Sequence, residues 1–205
     1  MSNLTASGSS HHGDLKNALL QAGEQLLAEK GIAAVSLRDV ARAAGVSHTA
    51  PYRHFRNKAD LLRVLALIGF VRLNGEFAEA RGSEKFGPER QLVAAAVGYV
   101  RFAMANPEMF RLMFGGLVLT DGDAEYMVAS RAVLACLEDI MRAGIAVGVF
   151  RDRDASELAL VAWTSMHGLV SLLMSGAMGV RAADRDQSGK LVRVVMQHVI
   201  FGLSR

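Results

Sequence analysis

Apolar residues along the chain recur at helical spacing. Leu15, Leu19, Ala22 and Leu26 are four, three and four apart, so one face of a helix collects them, and Gly31 predicts where that helix stops. Leu37, Val40, Ala41 and Ala44 repeat the pattern over a shorter helix, opened by Ser36 and Asp39 in capping-box register. Asn106 before Pro107, and Asp154 before Glu157, mark two later helix starts. The alternation of Val, Ile or Thr with polar residues that a strand needs is missing over any useful length, so the fold class is all-α. The pattern predicts helices at 14–30, 37–44, 48–54, 59–80, 89–105, 107–115, 122–148, 155–176 and 188–202.

Composition narrows the class. The chain has 205 residues, of which 51% are hydrophobic and 21% charged, so it can build a core and is not a disordered polypeptide. Its single cysteine, Cys136, excludes an internal disulfide or a multi-thiolate zinc site and suits a reducing, cytoplasmic location. The opening stretch through Asp14 is polar, lacks a signal-peptide core and reads as a flexible arm over residues 1–13. The run from Leu158 to Val180 has no Asp, Glu, Lys or Arg and is long enough to cross a bilayer. Thr164, Ser165, His167, Ser171 and Ser175 interrupt it, and unpaired polar groups are costly in hydrocarbon, so it is expected to be a buried helix of a soluble protein with no membrane partner.

Net charge is only +3, but its distribution is uneven. Between residues 36 and 58, Arg38, Arg42, Arg53, Arg56 and Lys58 face Asp39 alone, whereas the rest of the chain is near balance. Such a cluster suits a polyanion-binding element, although a solvated basic face looks the same. The segment itself, SLRDVARAAGVSHTAPYRHFRNKADLL, has a helix of about two turns, Gly45 to close it and Ser47 to cap a second helix. This is the anatomy of a helix-turn-helix. Ala41 and Ala44 allow a close crossing, and Pro51 falls in the first turn of the second helix, where amides have no partner to lose.

With AAGVSHTAPYRHFRNKADLL at 43–62 and AEKG at 28–31, the chain resembles the TetR family of one-component transcriptional regulators. ANPEMFRLMFG at 105–115 and WTSMHGLVSLL at 163–173 are similar to the subgroup with a Trp, His and Gly signature. The resemblance implies an N-terminal three-helix head at 14–60, which binds DNA, and a helical-bundle body at 61–205, which binds a small molecule and dimerises. It also implies a homodimeric repressor on a near-palindromic double-stranded operator, released by a small apolar effector and needing no cofactor. Ala50-Pro51 departs from the small residue followed by Leu or Ile that many members carry.

Residue roles follow from groove geometry together with the resemblance. His48, Thr49 and Ala50, at the start of the second helix, are placed nearest the base edges. Tyr52, Arg53, His54 and Lys58 stand where family members hold phosphates, and Ser36, Arg38 and Ser47 can add backbone contacts. The competing reading is that Tyr52 and His54 pack the head while Arg53 and Lys58 are solubilising charges. In the body, Phe102, Met104, Met109, Phe110, Met113, Phe114, Met127, Trp163, Met166 and Met174 suit an adaptable apolar ligand pocket or an ordinary core. Trp163 and His167 share one helix face and suit either a ligand or a dimer contact.

Enzyme chemistry finds little support. Cys136 lies among Val133, Leu134, Leu137 and Ile140, as a structural thiol does. The pairs Asp121/Asp123 and Asp152/Asp154 have metal-ligand spacing without an oxygen-rich loop, and helix capping accounts for both. A small-molecule-binding helical protein lacking sequence-specific DNA recognition remains the alternative.

Overall fold

The computed structural model describes residues 8–82, 86–116, 124–179 and 185–204. Asp121, Asp123 and Val180, singled out above, lie outside the described residues. Eight α-helices and one 3-10 helix account for most of the described chain: α1 (Gly8–Ala34), α2 (Leu37–Ala43), the 3-10 helix Ala50–Arg53, α3 (Lys58–Gly82), α4 (Pro88–Ala105), α5 (Pro107–Phe114), α6 (Ala124–Ala146), α7 (Ala155–Met174) and α8 (Arg185–Leu203). Most boundaries fall close to the expected ones. α1 starts at Gly8, inside the stretch expected to be an arm: the Ser and His residues there have middling helix propensity, and no proline interrupts them. Gly31 does break the helix, with φ 76° and ψ 174°, but a last turn resumes up to Ala34.

The chain forms two compact units. One comprises residues 1–68 with 108–120, and the other residues 69–107 with 121–205. The first unit therefore takes in the segment Glu108–Phe114, which the resemblance implied to be part of the body. Its core is made of Leu19, Leu27, Val35, Val40, Phe55 and Leu61, all essentially inaccessible. At Gly23 an added Cβ would stand 3.4 Å from Leu65, which shows how closely α1 approaches α3.

In the second unit α4 packs on α6, α7 and α8, and α7 in turn packs on α6 and α8. Small residues, Ala95, Ala96, Ala103, Ala159 and Ala162, let these helices approach, while Phe77, Tyr99 and Leu137 fill the space between. Phe77 meets Tyr99 edge-on at 6.0 Å, and Phe70 meets Tyr126 edge-on at 5.4 Å. Phe150 is fully buried against Gly144, where any Cβ would collide with its ring. The chain end is strapped to the same loop, since the Arg151 amide donates to Leu203 O at 2.8 Å and its Nε to Ser204 O at 2.8 Å.

One expectation needs correction here. α7 passes a composition test for a membrane span, with mean hydropathy 1.4, but only 39% of that window is buried in the chain. Ala159, Ala162, Met166, Val170 and Leu173 face the core, whereas Leu160, Val161 and Leu172 on the other side are about half exposed. A helix carrying apolar residues all round has one face left over once a single core is satisfied.

Candidate nucleic-acid interface

The helix-turn-helix is held by local bonds that the sequence encodes directly. Ser36, in extended conformation, accepts the Asp39 amide at 3.1 Å and donates its own hydroxyl to the Asp39 carboxylate, closing the front of α2. Arg42 pairs with the same carboxylate. At the back, Gly45 adopts φ 69°, which lets the Val46 amide reach Ala41 O at 3.0 Å and the Gly45 amide reach Arg42 O at 3.2 Å, the paired bonds of a Schellman stop.

The second helix differs from expectation. In place of an α-helix over 48–54 capped by Ser47, residues 47–49 form a turn and Ala50–Arg53 a 3-10 helix, with Thr49 at its cap position making no side-chain capping bond. Ser47 Oγ instead lies 3.2 Å from Thr49 Oγ1. Pro51 supplies no amide and constrains its predecessor, and the element is short enough for i to i+3 bonding, as in His54 N to Pro51 O at 2.9 Å. Winding the turn this way buries Ala50, only 9% exposed, together with Pro51. The Ala50 methyl therefore faces the core of the head, and its expected contact with a base edge is not available in this conformation.

Ser47, His48, Thr49, Tyr52, Arg53 and Arg38 are exposed, Tyr52 at 56%. His54 is drawn inward: its Nε2 is buried and its ring tilts against Phe55 at 6.4 Å. Lys58 is half-buried and donates to Ala33 O at 3.0 Å, tying the start of α3 to the end of α1. The Ser36 hydroxyl, expected on a phosphate, is engaged by Asp39. Arg56, a member of the basic cluster to which the motif gives no contact role, has its side chain 87% exposed. Its amide donates to Asp60 at 2.9 Å, and that bond, with the guanidinia of Arg56 and Arg63, holds the Asp60 carboxyl below its usual range.

The expected ligand residues separate. Met109, Phe110 and Met113 are buried in the first unit, with Phe114 against Phe110 at 4.7 Å. Phe102 and Met166 are buried in the second unit, Trp163 and His167 half-buried there, and Met127 is 38% exposed. Two grooves in the second unit, of about 630 Å³ beside Glu76, Phe86, Arg90 and Arg193 and about 580 Å³ beside Asn74, Arg81 and Cys136, are lined by none of these. The buried members fill core and do not line those grooves. A residue not foreseen joins the pair on α7: the Tyr99 hydroxyl lies 2.7 Å from His167 Nδ1. No group of three or more His, Cys, Asp or Glu side chains among the described residues could hold a metal ion.

Comparison with known proteins agrees with this architecture. Residues 19–65 match the family model of bacterial regulatory proteins of the tetR family, and residues 92–195 match that of the tetracyclin repressor-like C-terminal domain. A protein of unknown function from Rhodococcus sp. RHA1 is 32% identical, with 97% of this chain and 100% of that chain covered and a TM-score of 0.83. The TetR family transcriptional regulator PfmR from Thermus thermophilus shares the fold at 23% identity and TM-score 0.70, covering 91% of this chain and 99% of that one. So does the fatty acid degradation regulator FadR from Bacillus halodurans, at 19% identity and TM-score 0.71, covering 90% and 93%. With a capped helix-turn-helix in its first unit, a helical body in its second and family models matching both regions, the chain belongs to the tetR family of bacterial regulatory proteins and is a DNA-binding transcription regulator.

Proposed function

We propose that this regulator is a cytoplasmic homodimeric repressor that leaves a near-palindromic operator when a small, mainly apolar effector enters the second unit. The observation that carries the DNA-reading half is the exposed rim of the helix-turn-helix. His48 and Thr49 stand out where base edges would lie, and Arg38, Tyr52, Arg53 and Arg56 surround them as phosphate partners. Lys58 keeps two ammonium hydrogens beyond its bond to Ala33 O and can serve a phosphate as well.

The dimer half rests on the uncharged outer face of α7 and its neighbour α8. Leu160, Val161 and Leu172 are exposed there, and α8 adds Val194 at 51% and Phe201 at 83%. The hydroxyls of Thr164, Ser165 and Ser171 turn back onto carbonyls of their own helix at 2.8 to 2.9 Å, so the face asks little of a partner but apolar contact. Two copies joined by a two-fold axis fix the separation of two heads, which is what a near-palindrome requires.

Effector entry is supported by Phe102, Trp163, Met166 and His167, soft and aromatic groups of the second unit that can repack. Release then needs an effector that prefers a state unsuited to DNA, and α3, whose residues belong in part to each unit, is the natural carrier of the change. The test is to select DNA with the purified protein from a random pool and then measure effector affinity with and without the selected site. Linkage requires both affinities to fall by one common factor, of about 5–150-fold for typical couplings. Equal effector affinities would remove the release mechanism.

A further inference from the structure

The second unit holds a polar cluster that DNA reading does not use. Tyr99 of α4 is fully buried, yet its hydroxyl must bond within an apolar bundle, and it meets His167 Nδ1 of α7 at 2.7 Å. Trp163, one turn before His167, has its ring 6.0 Å from the imidazole and its indole nitrogen buried. Within a turn of them along α4 and α7, Ala95, Ala96, Ala103, Ala162, Met166 and Val170 are all buried and apolar.

Proton placement follows from the surroundings. Burial raises the Tyr99 phenol far above its usual range, and burial alone lowers His167 below 6.5. Both groups are thus held neutral; with the phenol assigned as the donor to Nδ1, the ring hydrogen stands on Nε2. The charges of neighbouring helices are engaged elsewhere or act elsewhere: Glu138 and Asp139 of α6 pair with Arg142, Asp139 also with Arg81, and Arg101 of α4 with Glu76. On α8, Arg193 lines the groove beside Phe86, His198 meets Val194 O, and neither these nor Lys190 contributes to the shift of His167. The cluster is thus rich in hydrogen-bond donors and carries no fixed charge.

Resting on the effector reading above, we propose that Tyr99, His167 and Trp163 anchor the polar end of the effector, and that the effector is a carboxylic acid with an apolar tail. Donors select an acceptor. A cation would find no counter-charge, and a permanent anion would lose its hydration with no Lys or Arg to compensate. A carboxylic acid enters neutral. Its O–H bond breaks as an N–H bond forms at His167 Nδ1, giving a carboxylate beside an imidazolium, and the Tyr99 hydroxyl, freed from Nδ1, turns to donate to the carboxylate. Met166, next to His167 in the chain, is flexible enough to give way to a tail by rotamer change.

Trp163 is the chain's single tryptophan, so its fluorescence reports on this site alone. Purified full-length protein is titrated with decanoic acid, 1-decanol and decylamine below their micellar concentrations. The acid is expected to bind best and the amine worst, with acid affinity falling roughly tenfold per pH unit above neutrality because binding takes up one proton. Tyr99→Phe is expected to weaken the acid by roughly tenfold or more while keeping that pH slope. His167→Gln is expected to abolish the slope, with circular dichroism checking that both variants fold. Absent acid binding, equal binding of acid and alcohol, or an unchanged slope in His167→Gln overturns the anchor. Acid binding with these signatures but no effect on selected DNA supports the anchor and instead removes the release mechanism.

Discussion

Lys58 illustrates how one side chain serves two tasks. Its ammonium donates to the Ala33 carbonyl at the C-terminal end of α1, and its remaining hydrogens can serve a phosphate in the proposed interface. Lys58→Ala is accordingly expected to weaken DNA binding for every sequence, to flatten the salt dependence of log affinity by about one unit and to lower the melting temperature of the free protein. Thr49→Ala touches no such brace and is expected to alter base preference instead. Anisotropy titrations across salt concentrations, repeated on mismatched sites, separate the two. His167 carries a different signal at the residue scale. Its folded form resists protonation, so above pH 6.5 it contributes nothing, and as pH falls below that value the unfolded chain takes up the proton first and stability declines. Thermal melts between pH 7.5 and pH 5 (roughly the span of histidine titration) are expected to decline less steeply in His167→Gln than in the parent.

Helix ends and crossings decide the element scale, and glycine serves them in two unlike ways. Gly45 sits at φ 69° with open space around it, so Gly45→Ala meets only backbone strain, about 1–2 kcal/mol. Gly144 has ordinary helical geometry, but the Phe150 ring occupies the place of its side chain. Gly144→Ala must displace a fully buried ring and is expected to cost about 1–3 kcal/mol, offset in part by Phe150→Leu. Denaturant melts of both single variants and of the Gly144→Ala, Phe150→Leu pair check this: additivity in the pair would mean that the ring is not the obstacle.

For the whole molecule, the apolar outer faces of α7 and α8 are the feature with the largest consequence. A single charge at the centre of such a face must be desolvated or must push the copies apart, so Val161→Asp and Phe201→Glu are each expected to yield monomers at micromolar concentration. Because one head would span only half of the proposed near-palindrome, the monomers are also expected to lose most affinity for the selected DNA. Sedimentation velocity alongside DNA titration tests both statements. A parent protein that sediments as a monomer would remove the dimer and with it the fixed head spacing.

How much of this was legible beforehand depended on the range of the interactions involved. Helix number, most helix ends and the Ser36 to Gly45 frame of the helix-turn-helix were readable because caps, glycine stops and helical periodicity act within a few residues of each other. The TetR-like motif at 43–62 was readable for the same reason. What the second helix became was not: the 3-10 winding at Pro51 and the burial of Ala50 depend on how the turn packs against α2, and these contacts exist only once the head has packed. Nor does periodicity say which core a buried face joins, so Met109, Phe110 and Met113 looked like body residues although they pack in the first unit. Tyr99 and His167 are 68 positions apart. Their hydrogen bond, like the placing of one face of α7 inward and the other outward, is decided by three-dimensional packing among α4, α6, α7 and α8, because a local sequence specifies a helix and its apolar stripe but not the partner that will cover it.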